Sequence, residues 1–441
     1  MLAVVVSRAD SASEHIGERL LEIEAWTEHE DPIRPGGAGG GTYYRANGVE
    51  LRTFDALHLS LDGAAAAFAD PTLLVFASRH SGETGPLLTA HATGNFGKAE
   101  YGGGDGSLAR AAPNALRRVR NALEKYAPYD YDVGVECTHH GPSSVGCPSL
   151  FVEVGSGERE WADSAAAEAV ARAILDLRGV DSDGDRAVVG FGGGHYAPRF
   201  DRVLTDTDWG VGHIAADWSL EELQPPTESQ AVIAKAFVQS DTEYALVDGE
   251  YPELERVIDD LGFETVSETW LRETTGVPLD LVERAETTAG SIDDGLRFGA
   301  RASEFDGSLA TETLDDELLA EANGIDRAAV VSALEARTVA YGTTEGGSMA
   351  SGQLVLDDAT TYREVVEAMA TVLERKYDTV VVTDEEVVAR RDAFDPELAR
   401  EAGVPEGPAF GTLASGSTVE VGGKRVEPED VRRARERRFH V

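Results

Sequence analysis

Short unbroken apolar runs recur along the first two thirds of the chain, and each breaks into glycine, histidine or proline. Between them lie stretches whose apolar residues fall every three or four positions, the period of an amphipathic helix. Unbroken runs of that length are buried strands, so the pattern predicts an α/β domain. Leu2 to Val6 reads as the opening strand, and Ser11 to Trp26, with Ile16, Leu20 and Ile23 on one face, as the helix after it. Tyr43 to Arg45 and Val49 to Thr53 form a hairpin across Asn47-Gly48. Further strands are predicted at Leu73 to Ala77, Leu87 to Ala92, Ser149 to Val154 and Ala187 to Phe191, with helices at Pro113 to Tyr126 and Trp161 to Leu177. Ser229 to Gln239, Tyr244 to Val247, Glu253 to Leu261 and Glu264 to Val266 continue as helix, strand, helix, strand.

From about Gly290 the texture changes. Acidic helical stretches run over Leu314 to Glu321 and Arg363 to Lys376, Thr379 to Thr383 is the one clear strand, and Arg432 to Arg438 is a basic tail. Ile325 to Ala340 and Tyr362 to Tyr377 have the look of docking helices. The expected division is a catalytic domain over residues 1–285 and a smaller α+β accessory domain over residues 290–441.

Charge narrows the setting. Among 441 residues, 39 Lys+Arg stand against 80 Asp+Glu, a net charge of −41, and arginine carries nearly all the positive part. Dispersed acid with little lysine suits a very salty cytoplasm, where the Debye length falls to about 3 Å and self-repulsion is screened. The two cysteines, Cys137 and Cys147, make no disulfide framework and fit a reducing, cytoplasmic location. The N-terminus lacks the basic leader and long apolar core of a signal sequence, and no apolar run reaches the roughly 18 residues of a membrane span. A monomer that does not associate with membrane is the expected state. Arg117, Arg118, Arg120 and Lys125 form a basic stripe on one predicted helix, either a solvated face or a contact for an anionic ligand.

The chemistry collects where strands end. Four strand ends and one loop deliver His80, His91, His139 with His140, His195 and His213, and ligands of α/β sheets bind beyond the carboxyl ends of strands. His15, His29 and His58 lie on ordinary amphipathic or loop ground and read as structural. Glu136-Cys137-Thr138-His139-His140-Gly141-Pro142 is the densest stretch. Neighbours on a strand point to opposite faces, so His139 and His140 act together only if the backbone turns there. Convergent imidazoles with a carboxylate such as Glu136 suggest a divalent transition metal, zinc first, which would activate water for attack on an ester or amide carbonyl. A histidine left free of metal would serve as general base or acid. The Gly192-Gly193-Gly194 turn lacks the Lys-Ser/Thr of a P-loop, no Gly-x-Ser-x-Gly elbow is present, and Cys137 reads as packing before nucleophile.

Five stretches in series carry a family resemblance: Ala77-Ser78-Arg79-His80-Ser81, Leu88-Thr89-Ala90-His91-Ala92-Thr93-Gly94-Asn95-Phe96-Gly97, Cys137-Thr138-His139-His140-Gly141-Pro142, Gly192-Gly193-Gly194-His195-Tyr196-Ala197-Pro198 and Gly212-His213-Ile214. In this order and spacing they resemble the archaeal and plant type of D-aminoacyl-tRNA deacylase, over roughly residues 1 to 270. The resemblance implies a zinc-dependent esterase, with one or two Zn2+ ions per chain, that hydrolyses the bond joining a D-amino acid to the terminal ribose of tRNA. It implies tRNA recycling and D-amino acid detoxification, and a three-layer α/β fold with a mixed sheet of the phosphorylase/peptidyl-tRNA-hydrolase kind. It carries over site residues without dividing their roles. We take His80, His139, His140 and His195 as catalytic and His91, Glu136, His139, His195 and His213 as metal ligands. Arg79, Thr93, Asn95, Gly193, Gly194 and Tyr196 are taken as substrate contacts.

Two departures stand out. Where the family commonly follows Gly-His-Ile with a Leu-Pro pair, this chain has Ala215-Ala216-Asp217, which leaves the edge of the pocket there open. Residues Leu398 to Gly411 resemble a stretch of the metallo-β-lactamase-like nucleases that trim tRNA 3′ ends, without their metal ligands; the other reading is a Gly/Pro turn joining two helices. A nucleoside phosphorylase or nucleosidase, and a non-catalytic tRNA-binding protein, are the alternative functions. The charge itself makes a prediction: thermal melts should show stability rising from low salt to molar KCl, and a flat or falling Tm over that range would contradict the adaptation.

Overall fold

Strand Leu2–Ser7 is buried along its whole length because parallel neighbours, Val49–Phe54 and Leu73–Arg79, flank it on both sides. It sits in an eight-stranded mixed sheet with the spatial order Thr27–Asp31, Gly41–Ala46, Val49–Phe54, Leu2–Ser7, Leu73–Arg79, Ser149–Gly155, Leu87–Ala92 and Asp132–Val135. The predicted hairpin is present, with Gly48 supplying the positive φ its turn needs. Leu87–Ala92 runs antiparallel to Ser149–Gly155, which sets His91 opposite Phe151 and Thr89 opposite Glu153. A second sheet of four parallel strands has the order Gly210–Ala215, Ala187–Gly192, Tyr244–Asp248 and Glu264–Thr265. Helix Pro113–Tyr126 packs on strands of both sheets. Helix Ser11–Ile23 starts at Asp10, whose carboxylate accepts from the backbone N–H groups of Ala12 and Ser13.

These elements belong to the first of two compact units, Met1–Thr275 and Gly276–Val441, in a computed structural model that describes residues 1–182 and 184–441. The boundary falls ahead of residue 285, so helix Leu279–Ala289 belongs to the second unit. Two expectations in the first unit change. The helix predicted over Trp161 to Leu177 is two helices, Glu158–Trp161 and Ser164–Leu175, because Asp163 stops the first and caps the second through Ala165 N. Part of the basic stripe is spent inside the fold: Arg120 is buried in a two-point ion pair with Asp201 (2.7 and 3.0 Å), and Lys125 pairs with Asp176. Arg120 and Lys125 are thus engaged within the fold, while Arg118 stays exposed.

The second unit holds more strand than one. Leu296–Phe298, Ala340–Thr344, Met349–Leu356 and Ala310–Thr313 form an antiparallel sheet, Thr379–Val382, Glu386–Phe394 and Arg432–His440 another, and Val419–Val421 with Lys424–Val426 a hairpin. Ala310–Thr313 and Arg432–His440 are mostly exposed and polar, so no apolar alternation announces them. Helix Asp316–Glu335, bent at Asp326, covers two of the predicted helical segments. It packs against Ala359–Leu373 with Leu318, Leu334, Val365 and Met369 buried between strands and helices. Both expected docking helices therefore spend their apolar faces in the unit's own core. The basic tail is an ordered strand whose Arg433, Arg437 and Arg438 pair with Asp395, Glu321 and Glu386. Residues 398–411 contain a turn through Gly403 and Gly407 between helices Pro396–Glu401 and Pro408–Ala414. No described helix is long and apolar enough to cross a membrane.

Candidate active site

Past Val135 the edge strand of the large sheet ends, and its backbone is taken over by both sheets. Glu136 N donates to Ala90 O (3.2 Å), Cys137 N to His195 O (2.9 Å) and Thr138 N to Ile214 O (2.9 Å). The segment thus leaves strand geometry, and strand alternation no longer separates adjacent side chains. His139 and His140 meet with ring centroids 4.4 Å apart, and His91 lies 4.6 and 4.8 Å from them. Phe151 forms the floor, stacked on His91 at 5.1 Å and edge-on to His140 at 4.7 Å.

Each of these three rings is bonded to a backbone carbonyl through Nδ1: His91 to Ala92 O (2.9 Å), His139 to Cys137 O (2.8 Å) and His140 to Gly141 O (2.9 Å). A carbonyl only accepts, so Nδ1 carries the proton and Nε2 presents its lone pair. The ligand atoms of the three lie within 4.8 Å of one another. Burial, reinforced by neighbouring imidazoles, pushes His139 down to about 3 and His140 well below 6.5. Neutral imidazole is the form that ligates a metal.

The carboxylates complete the cluster. Burial alone would raise Glu136, but the hydrogen bond from His195 and the close His80 ring outweigh it and hold the carboxyl well below 4.5. Glu136 Oε2 accepts from His195 Nε2 at 2.9 Å and stands 3.7 Å from His139 Nε2. Its Oε1 lies 3.1 Å from His80 Nδ1 without an aligned hydrogen bond. Glu153, which the sequence reading passed over, stands 3.7 Å from His91 Nε2 and 3.8 Å from His80 Nδ1, beyond hydrogen-bond range. Its signal was available: it is the one charged side chain in the fully buried strand Ser149–Gly155, and a buried carboxylate needs partners. His80 Nε2 accepts from the Tyr196 hydroxyl (2.9 Å), and Gly155 makes room for the ring, since a Cβ there would come within 2.7 Å of it. Gly192, at φ 96°, lets the small sheet turn toward His195, because a Cβ would fall 2.1 Å from Asp248 O.

His91 Nε2 and Glu136 Oε1 are buried with no hydrogen-bond partner, and both face this cluster. Two orphaned acceptors beside bare imidazole lone pairs are what a cation site looks like without its cation, so the donor set fits a transition metal. His91, His139 and His140 form one ligand group; His80, Glu136 and His195 form another.

Not every predicted residue joins them. His213 is fully buried with both ring nitrogens occupied, by Thr138 Oγ1 (3.2 Å) and Ala109 O (2.8 Å), and burial lowers it to about 4. It ties the small sheet to the 136–142 segment and has no lone pair for a metal. Thr93 is fully buried and pairs with Ser149 Oγ (3.2 Å). Asn95 Nδ2 donates to Gly102 O (2.8 Å), holding the glycine-rich loop. Gly193 O accepts from Asp217 N (2.9 Å), while Gly194 has open space where a side chain would be. Arg79 lies over the Trp161 ring and lines a cavity of about 510 Å³ with Asp10, His58, His80 and Glu153. Burial pushes the Cys137 thiol up to about 12, which removes the thiolate a nucleophile would need.

Residues 67–266 match the protein family described as D-aminoacyl-tRNA deacylase. The chain is 68% identical to a D-aminoacyl-tRNA deacylase of Natronomonas pharaonis, with 100% of both chains covered. It is 51% identical to a D-aminoacyl-tRNA deacylase of Halorubrum lacusprofundi, covering 100% of this chain and 97% of that one. Among solved structures it is similar to the crystal structure of a conserved protein of unknown function, at 29% identity and a TM-score of 0.56, covering 62% of this chain and 98% of the other.

His58, beside the larger cavity, yields a pH prediction. Its ring is 2% exposed, edge-on to Phe76 and Phe151, 3.3 Å from Ser13 Oγ and 3.8 Å from the Asp10 carboxylate. Burial, with the Arg79 charge adding to it, lowers it to about 3. Below pH 6.5 the unfolded chain binds a proton that the folded ring refuses, so this ring should cost stability as pH falls from about 6.5 toward 3, by roughly 3 kcal/mol at pH 4.5. Denaturant titrations at pH 7 and pH 4.5 should show a smaller acid-induced loss in His58→Gln than in the wild type; equal losses would contradict a neutral buried His58.

Proposed function

Because this chain belongs to the D-aminoacyl-tRNA deacylase family, we propose that it hydrolyses the ester joining a D-amino acid to the 3′-terminal ribose of tRNA, using water activated at the His91, His139 and His140 cluster. The observation that carries the chemistry is the set of three Nε2 lone pairs bared by backbone carbonyls at Nδ1, next to a buried Glu136. Outer partners that fix the tautomer are a recurrent feature of metal-ligating histidines. We read the ion as Zn2+, held by His91, His139 and His140. When bound it would supply a Lewis acid for the ester carbonyl and water of lowered pKa.

The remaining residues handle protons and position. In the second ligand group the 2.9 Å bond from His195 Nε2 to Glu136 Oε2 puts a proton on the nitrogen that a second Zn2+ would need bare, so we assign this pair to proton transfer. Glu136 accepts the proton of the attacking water at Oε1, which accepts no other hydrogen bond, and His195, the more exposed partner, gives its Nε2 proton to the departing ribose oxygen. The Glu136 proton then passes to His195 Nε2, leaving both groups as they began. Tyr196 orients His80 through Nε2, which keeps His80 Nδ1 against Glu136 Oε1. Arg79 and the wall of the larger cavity then meet the aminoacyl group.

We read the first unit as the catalytic domain, with the three-layer phosphorylase/peptidyl-tRNA-hydrolase-like arrangement, and the second as accessory, because every residue of the cluster precedes residue 276. The halophilic and cytoplasmic reading rests on the net charge of −41 and the two unpaired cysteines.

Purified protein should carry bound zinc, and dialysis against a chelator should abolish hydrolysis of D-aminoacyl-tRNA until zinc is returned. His91→Ala and His139→Ala should lose metal together with turnover, whereas His195→Gln should keep the metal and lose about a hundredfold in kcat. Full turnover by metal-free protein, or wild-type turnover by His139→Ala, would contradict the mechanism.

A further inference from the structure

Two cavities meet at the cluster and share Tyr101, His139 and His195. The smaller, about 270 Å³, is walled by Trp218, Phe96 and Lys98, with Glu100 and Glu222 at its polar side. An ester cleaved beside His139 and His195 has two halves to place, and the two cavities differ in what they offer. The larger is lined by histidines and the carboxylates of Asp10 and Glu153. The smaller adds the indole of Trp218, 43% exposed, which the larger lacks. Trp218 stands in the stretch after Gly212-His213-Ile214 where this chain departs from the pattern it resembles, on helix Asp217–Glu222.

That helix is held firmly. Asp217 N donates to Gly193 O (2.9 Å), Asp217 Oδ1 accepts from the Tyr251 hydroxyl (2.7 Å), and Glu222 Oε2 accepts from Lys98 N (2.9 Å). Gly97 packs so tightly on Glu222 that a Cβ would lie 1.7 Å from its Oε2. The backbone that carries the indole is therefore anchored at both ends of the helix. Beside it, the Lys98 ammonium makes no ion pair or hydrogen bond among the described residues, whereas Lys125, Lys235 and Lys376 are all engaged. A free cation beside an aromatic wall is unusual on a chain of net charge −41.

Resting on the deacylase reading above, we propose that the smaller cavity binds the 3′-terminal nucleotide of the tRNA, with its adenine stacked on Trp218 and its 5′-phosphate against Lys98. Stacking on an uncharged aromatic ring releases no counterions, whereas phosphate contacts weaken steeply as salt rises and are opposed by the net negative charge when salt is low. A strongly acidic chain must therefore hold its nucleotide mainly by the ring, with Lys98 as the local exception. The Glu100 and Glu222 carboxylates are suited to accept from the exocyclic amine of adenine. The aminoacyl group is left to the larger cavity.

The test is calorimetric titration of the full-length protein with adenosine 5′-monophosphate in molar KCl. Wild type should bind it, Trp218→Ala should bind at least tenfold more weakly, and Trp218→Phe should recover most of the affinity. Lys98→Met should bind the monophosphate no better than adenosine. In turnover, Trp218→Ala should raise KM for D-aminoacyl-tRNA about tenfold with kcat within about twofold, and the monophosphate should compete with substrate. Equal affinity of wild type and Trp218→Ala for the monophosphate, or a free D-amino acid binding in its place and weakened by Trp218→Ala, would overturn the proposal. Binding of the monophosphate at Trp218 by a protein that fails to hydrolyse D-aminoacyl-tRNA would support the subsite and sink the deacylase reading instead.

Discussion

Three backbone hydrogen bonds, from Glu136 N to Ala90 O, Cys137 N to His195 O and Thr138 N to Ile214 O, hold the 136–142 segment between two sheets, and the site depends on them. Without them an edge strand would simply continue, and His139 and His140 would point apart. With them, His80 and His91 from the large sheet, His139 and His140 from the segment and His195 from the glycine turn of the small sheet gather around Glu136. The small sheet contributes a further tie through His213, which bonds Thr138 on one side and Ala109 on the other. That ring does mechanical work in the fold, and its burial explains why it needs both bonds.

The cost of the arrangement lies in its buried charge. Glu136 and Glu153 are almost completely removed from solvent, at 1% and 2% exposure. Burial keeps the His139 and His140 rings neutral, while at His80 and His91 burial is outweighed by the two carboxylates, which raise them. A buried carboxylate is expensive unless cations or donors meet it, and here two acceptor atoms remain unmet. The balance is restored if a divalent ion binds at the three bare lone pairs. Catalytic usefulness and local instability then have one origin, since the same desolvation that penalises the empty cluster strengthens its electrostatics when a cation is present.

Much of this was legible in the chain. The apolar strands Leu2–Ser7, Leu73–Arg79 and Ala187–Gly192 lie where unbroken runs predict them, and the histidines after them converge as strand-end residues do. Roles were less legible because they depend on which ring nitrogen is free, and that is set by how the backbone turns each neighbouring carbonyl, Ala92 O, Cys137 O and Gly141 O, which residue identity does not record. His213 looked like its neighbours in sequence and differs only through Thr138 and Ala109. Glu153 was hidden inside an apolar run, where it reads as a strand residue. In the second unit, Arg432–His440 reads as a charged tail because its partners, Glu321, Glu386 and Asp395, are scattered over more than 70 positions of sequence.

The central claim is that three imidazoles of defined tautomer hold the ion. X-ray absorption at the zinc edge of the loaded protein tests it most directly. The account predicts a shell of nitrogen and oxygen scatterers at about 2.0–2.1 Å, with the outer-shell signature of three imidazole rings. A sulfur scatterer at about 2.3 Å, placing Cys137 on the metal with His139 and His195, or a shell with fewer than two imidazoles, would contradict it.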